Sequence, residues 1–165
     1  MSRSCEAEIH DLLFDGLSSV PGAAIHSWSP PNAKAYRAPN LVLPKLIKGV
    51  RKGSDRVDAV FAHDELLFLV EIKCKLSETA GDVRKLRRIR STLGAKGVLE
   101  ALRRQGASVG TIRDMVVGLA VREVDSVIPG DMMVMAVGRD SVESIMDGTG
   151  LAAALVEALT ASGQK

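Results

Sequence analysis

The sequence predicts an α/β fold in which a mixed β-sheet of about five strands is flanked by helices. Short apolar runs bounded by turn residues recur through the chain and are typical of strands. Other segments carry apolar residues at helical spacing, which indicates amphipathic helices. The 165 residues are 46% apolar and only 3% aromatic, so we expect one aliphatic core and read residues 1–165 as a single domain.

The first helix is predicted over residues 3–17. Its inward side consists of apolar and small residues, namely Cys5, Ile9, Leu12, Leu13 and Gly16. Glu6 falls inside this inward sector and Glu8 just outside it. An inward acid needs a partner such as a lysine, an arginine or a metal ion. The alternative is a solvated glutamate that suits the helix dipole.

A β-hairpin is predicted in the middle of the chain. Two apolar runs, 57–62 and 66–74, are joined by the polar turn at residues 63–65. A strand at 43–50 would precede them and complete an antiparallel meander, and a short strand near 23–28 fits the same composition.

The second half alternates helical and strand patterns. A capping-box sequence, from Thr79 to Asp82, predicts a helix that begins near Ala80. The further elements expected are a short helix at 98–104, strands at 115–121 and 132–137, a short helix at 141–146 and a last helix at 151–161.

Charge is unevenly distributed along the chain. Residues 34–104 carry a balance of +9 and the remainder a balance of −7, which gives the net +2. A basic middle suits a polyanion, although solvated helix faces would produce the same pattern. Four basic residues of the predicted second helix lie mainly on its exposed side and suit phosphate groups: Arg84, Lys85, Arg87 and Arg88.

The two cysteines, Cys5 and Cys74, show neither a disulfide framework nor zinc-ligand spacing. Both fit apolar positions, so we expect buried free thiols in a reducing compartment. The N-terminus lacks the apolar stretch of a signal peptide, and no run reaches the length of a membrane span. We therefore expect a cytoplasmic protein without membrane contact.

Acidic and basic residues lie inside the apolar runs of the hairpin. Asp58 and Glu71 would converge if their strands pair and both point to one face, which Lys73 and Lys75 would share with Glu71. Two adjacent carboxylates repel and need a cation between them. Their oxygens, with a backbone carbonyl assigned to Ile72, suit Mg²⁺ or Mn²⁺. Lys73 could then orient or deprotonate a water, or stabilise charge on phosphorus.

Asp58 followed by Glu71-Ile72-Lys73 after a hairpin resembles the PD-(D/E)xK nuclease superfamily, which includes restriction endonucleases and Holliday-junction resolvases. Val57 stands where the motif name has proline. The resemblance implies a restriction-endonuclease-like fold, an Mg²⁺-dependent cleavage of DNA, and a first-helix acid that faces the metal. That acid maps onto Glu6, with Glu8 the less favoured choice. A single domain of this size often needs a homodimer to cut both strands.

Other interpretations remain open. Charged residues on an edge strand also protect against aggregation without forming a site. A non-catalytic nucleic-acid-binding domain or a protein-interaction module could use the same fold. The histidines His10, His26 and His63 show no metal spacing, and neither a Walker loop nor a Gly-x-Ser-x-Gly elbow occurs.

Overall fold

In a computed structural model of the protein, residues 4–28 and 57–162 are described, and they form a mixed six-stranded sheet flanked by helices. The strands are β1 (Ala24–Trp28), β2 (Ala59–His63), β3 (Leu66–Ile72), β4 (Asp114–Val121), β5 (Met133–Val137) and β6 (Val142–Asp147). They follow one another across the sheet in chain order. The first three pair antiparallel, β3, β4 and β5 pair parallel, and β6 pairs antiparallel with β5. The predicted α/β class with a mixed sheet is confirmed, with one strand more than expected.

The helices form a layer on each face of the sheet. They are α1 (Cys5–Ser18), α2 (Ala80–Thr92), α3 (Gly94–Arg104) and α4 (Ala153–Ser162), with a single 3-10 turn at Leu76–Glu78. α1 and α4 pack on one face through residues such as Ile9 and Leu155. α2 and α3 pack on the other through residues such as Leu86 and Leu102. Every residue of β3 is buried as a result, as expected for a central strand covered on both faces.

The predicted hairpin is formed by β2 and β3, and its turn sets the register. Asp64 and Glu65 have φ angles of 52° and 62°, the left-handed conformation that both central residues of a type I′ turn adopt. The pairing runs from His63 opposite Leu66 to Ala59 opposite Val70. One further step along the hairpin places residue 58 opposite residue 71.

The prediction of a short helix at 141–146 is wrong, because residues 142–147 form the strand β6. Val142, Ile145 and Met146 fit a helical spacing, which misled the prediction. β6 lies at the edge of the sheet, where most of its side chains are exposed or half-buried, so the alternation typical of a half-buried strand is weak. Backbone pairing with β5 decides the conformation.

The other predicted elements have different outcomes. The short strand near 23–28 is confirmed as β1, which pairs with β2. The strand expected at 43–50 lies outside the described residues. The helix predicted to begin near Ala80 is α2, and the one at 98–104 begins earlier, at Gly94.

The expectation of free thiols is wrong, because Cys5 and Cys74 form a disulfide with Cα atoms 5.8 Å apart. Cys5 is the first residue of α1 and Cys74 lies two residues beyond β3. The bond therefore joins two elements that only the packing of α1 on the sheet brings together. None of the helices in residues 4–28 and 57–162 has the length and apolar character needed to cross a membrane.

Candidate functional site

The candidate site lies where β2 begins and β3 ends. Asp58 immediately precedes β2, and Glu71 is the penultimate residue of β3. The first turns of α1 and α2 carry further acids, Glu6 and Asp82. Helix N-termini carry a partial positive charge that favours acidic groups.

Asp58 and Glu71 lie side by side, as the sequence predicts. The Ile72 backbone N–H donates a hydrogen bond of 2.9 Å to Asp58 Oδ2, which holds the Asp58 side chain against β3. The Asp58 carboxyl lies near enough to act on the Glu71 carboxyl through its charge. Glu71 is only 3% exposed, and burial, with the adjacent Asp58 carboxyl, holds the pKa of Glu71 well above its ordinary range.

Lys85 supplies the positive charge that opposes this shift. Its Nζ forms an ion pair with Glu71 Oε1, and this contact acts to lower the pKa of Glu71. The sequence placed Lys85 mainly on the exposed side of α2, but its side chain is 23% exposed. α2 packs across the face of the sheet on which Glu71 lies, so Lys85 turns towards the buried carboxylate.

Asp82 is an acidic neighbour of the site that sequence reasoning missed. Its Oδ2 atom is buried without a hydrogen-bond partner. Burial and the Asp58 charge raise the pKa of Asp82, while Lys73 and Lys85 lower it, so three site residues act on this carboxyl.

Asp82 was missed because the sequence analysis interpreted it as part of a capping box. Thr79 does precede α2, but its hydroxyl donates to the Leu76 carbonyl at 2.6 Å and does not cap the helix. The sequence does contain a signal for Asp82, because it is an acid in the first turn of the helix that follows the Glu-x-Lys strand.

Lys73 and Glu6 form the rim of the site on the α1 side. Lys73 Nζ lies 3.9 Å from Glu6 Oε1, and the two side chains are 37% and 35% exposed. β3 ends at Ile72, and the three residues predicted to share a face have different partners: Glu71 contacts Lys85 of α2, Lys73 contacts Glu6 of α1 and acts on Asp82 of α2, and Lys75 is exposed.

The choice between the two acids of α1 is narrowed by their partners. Glu8 Oε2 accepts a 2.6 Å hydrogen bond from Arg122 Nη1. Glu6 is the acid that contacts Lys73. The geometry therefore favours Glu6 as the first-helix acid of the site.

His10 lies one turn beyond Glu6 and was set aside by sequence reasoning. It is 1% exposed, and its Nδ1 has no hydrogen-bond partner. Its ring packs edge-on against Trp28, with the ring centroids 5.9 Å apart. Burial lowers the pKa of His10, and the nearby Asp58 charge opposes that effect. A scattered histidine in the sequence is thus a neighbour of Asp58 in the fold.

The donor set of the site suits a hard divalent cation. Asp58 and Glu71 offer two adjacent carboxylates. Within residues 4–28 and 57–162, no group of three or more His, Cys, Asp or Glu side chains is arranged to hold a metal ion. Mg²⁺ commonly takes only one or two protein carboxylates, so the donors fit this ion.

The four basic residues predicted to contact nucleic acid differ in their surroundings. Arg84 and Arg88 are exposed and lie four residues apart on α2. Arg87 is also exposed, but it makes two 2.9 Å hydrogen bonds to the Asp131 carboxylate. Lys85 is paired with Glu71. Of the four predicted residues, Arg84 and Arg88 are therefore the two that belong to neither of these ion pairs.

Comparison of the chain with family models, with curated proteins and with solved structures returned no match. The arguments below therefore depend on the residues and their geometry.

Proposed function

We propose that this chain is an Mg²⁺- or Mn²⁺-dependent endonuclease of the PD-(D/E)xK type, with a restriction-endonuclease-like fold, that hydrolyses DNA phosphodiester bonds. The observation that carries the proposal is the side-by-side placement of Asp58 and Glu71 on adjacent strands. Lys73 and Glu6 lie at the same strand ends. We also infer a cytoplasmic location, and a homodimer that would supply one site for each DNA strand.

Asp58, Glu71 and the Ile72 carbonyl would hold the divalent cation. When bound, the cation would supply positive charge that polarises a phosphate oxygen and activates water. The Ile72 N–H bond to Asp58 positions one carboxylate beforehand. The Lys85 ion pair with Glu71 supplies positive charge to the same buried carboxylate, so Lys85 would have to withdraw when the cation binds.

Lys73 would act on the attacking water or on the charge that develops at phosphorus. Its backbone N–H donates to the Ala120 carbonyl at 3.1 Å, which fixes the main chain beside the end of β3. Glu6, 3.9 Å from Nζ, would orient the ammonium group. A positioned ammonium group of this kind contributes to the reaction by proton transfer or by electrostatic stabilisation.

Arg84 and Arg88 would bind the DNA backbone, because their guanidinium groups are exposed on one side of α2. Lys85 and Arg87 belong to the same proposed surface, but each would have to exchange its carboxylate partner for a phosphate. Removing Arg84 and Arg88 should weaken DNA binding and reduce its salt dependence.

The test is a cleavage assay with Mg²⁺ on linear, supercoiled and branched DNA. We expect Asp58→Asn and Lys73→Ala to lower the cleavage rate by about 10²-fold or more. Asp140→Asn, at an exposed acid in the β5–β6 turn, is the matched control and should cleave like the wild type. If Asp58→Asn or Lys73→Ala, each verified as folded by circular dichroism, cleaves DNA as fast as the wild type, the proposed mechanism is wrong.

The second candidate is a non-catalytic nucleic-acid-binding domain, and the Lys85–Glu71 ion pair favours it. A lysine that permanently neutralises Glu71 would make the carboxylates structural. This function predicts salt-sensitive DNA binding without metal-dependent cleavage. Calorimetric titration of Mn²⁺ into wild type and Asp58→Asn distinguishes the two, since only the enzyme should lose cation binding in the variant.

A further inference from the structure

The disulfide lies beside two residues of the candidate site. Cys5 immediately precedes Glu6, and Cys74 immediately follows Lys73. The bond therefore links the immediate neighbours of the two residues whose side chains form the 3.9 Å ion pair at the rim.

The Cys74 end of this link is held by the sheet. The Cys74 carbonyl accepts hydrogen bonds of 3.0 Å from the backbone N–H groups of Arg122 and Glu123. The Leu76 N–H in turn donates to the Glu123 carbonyl at 2.9 Å. This backbone has several independent bonds and keeps its place whether or not the disulfide is present.

The Cys5 end has much less support. Two hydrogen bonds join the first turn of α1 to Ser4: Ala7 N–H to Oγ at 3.2 Å and Glu8 N–H to the carbonyl at 3.1 Å. Both lie within the turn itself. Its side-chain contacts with the sheet are the ion pairs of Glu6 with Lys73 and of Glu8 with Arg122, and in both pairs the glutamate is partly exposed to water, which weakens them. The first fully buried residue of α1 is Ile9, one turn further along. The disulfide is thus the covalent attachment of the Glu6 turn to the sheet.

We propose that Cys5 and Cys74 form a reversible thiol–disulfide site that determines whether Glu6 is held beside Lys73. Both cysteines are half-buried, so a small thiol can reach them. A dithiol reductant would transfer two electrons and two protons to the Cys5–Cys74 bond. One sulfur of the reductant attacks the bond and forms a mixed disulfide with one cysteine. The second sulfur of the reductant then attacks this mixed disulfide, which leaves two cysteine thiols and the cyclic disulfide of the reductant.

Reduction should release the first turn and leave the rest of α1 in place. Ile9, Leu13 and Leu17 are each 0% exposed and anchor the helix to the sheet without the disulfide. The consequence for catalysis rests on the proposed nuclease function: the oxidised form should be the more active one, because Glu6 then orients Lys73. In a reducing compartment the bond would form only under oxidation.

The experiment compares the full chain in oxidised form and after treatment with dithiothreitol. Hydrogen exchange is measured on a peptide that covers residues 4–10, and DNA cleavage is measured on the same samples. We expect exchange in this peptide to rise about tenfold or more on reduction, towards the rate of a frayed terminus, while the peptide that covers β3 is unchanged. If the chain cleaves DNA, we expect cleavage to fall about tenfold.

Cys5→Ser and Cys74→Ser should behave like the reduced protein, and the double variant should not respond to dithiothreitol. The proposal would be overturned if two thiols per chain remain titratable after exposure to oxidised glutathione. It would also be overturned if hydrogen exchange in the peptide that covers residues 4–10 is equal in the oxidised and reduced forms. Cleavage that occurs at the same rate in both forms would overturn the link to Glu6. Absence of cleavage in both forms counts against the proposed function, and the exchange data then decide on the thiol–disulfide site alone.

Discussion

Replacing Glu71 by glutamine should make the stability of the protein less dependent on pH. Glu71 is 3% exposed, and burial is the main reason that its pKa is raised. A glutamine has nearly the same shape, and its amide can donate to the Asp58 carboxylate. Lys85 would lose its partner, but it is 23% exposed and can turn towards water, so no cation would be left buried.

The direction of this pH dependence follows from the raised pKa of Glu71. Below the ordinary value of 4.5, Glu71 is protonated in both the folded and the unfolded chain and contributes no pH dependence. As the pH rises above that value, the unfolded chain releases this proton before the folded chain does. The wild type should therefore lose stability relative to Glu71→Gln, by at most about 1.4 kcal/mol per pH unit, until the folded pKa is passed.

The assay is urea denaturation at pH values from 4.5 to 8, followed by tryptophan fluorescence. Trp28 is the single tryptophan and is 1% exposed, so its emission should report unfolding. Glu100→Gln, at an exposed acid of α3, controls for the removal of one negative charge. Wild type and Glu71→Gln curves that keep a constant difference over this pH range would refute the reasoning.

Two further predictions concern the packing around the site. Gly118→Ala should destabilise the fold by about 1–3 kcal/mol, because an added Cβ would lie 2.6 Å from the Met133 carbonyl oxygen. Gly110→Ala, whose added Cβ would enter open space, should not destabilise it. Thermal melts of the two variants would show the difference. Asp131→Asn should cost roughly 1 kcal/mol at pH 7, because Asp131 forms solvent-screened ion pairs with Arg87 and Arg90. Since these two partners lower the pKa of Asp131 below its ordinary 3.8, the difference from wild type in urea melts should shrink progressively as the pH falls below 3.8.

Local features of the sequence were sufficient to predict the hairpin and its two acids. The turn at residues 63–65 fixes which residues face one another across β2 and β3. Because alternate residues share a face, the opposition of Asp58 and Glu71 follows from the turn alone. The strands of the parallel half were also predictable, since they are almost continuously apolar.

The rest of the site depends on contacts between segments that are distant in the sequence. Lys85 and Asp82 enter the site because α2 packs over the end of β3, and neither the helical pattern nor the charge indicates which acid it will meet. The disulfide joins residues 69 positions apart and depends on the docking of α1. Spacing within a helix or strand carries no information on such distances.

Lys85 is the residue on which the two candidate functions differ. The burial that raises the pKa of Glu71 also makes an unpaired charge there costly, so some cation must accompany an ionised Glu71. Lys85 fills this role without a metal, and in a binding domain it would do so permanently. In an enzyme the same ion pair would offset part of this cost until a divalent cation replaces the ammonium group. At 23% exposure, with Asp82 near enough to respond to its charge, Lys85 has an alternative acidic partner to which it can move. The proposed enzyme would require Lys85 to make this move when a divalent cation binds Glu71, whereas a binding domain would not.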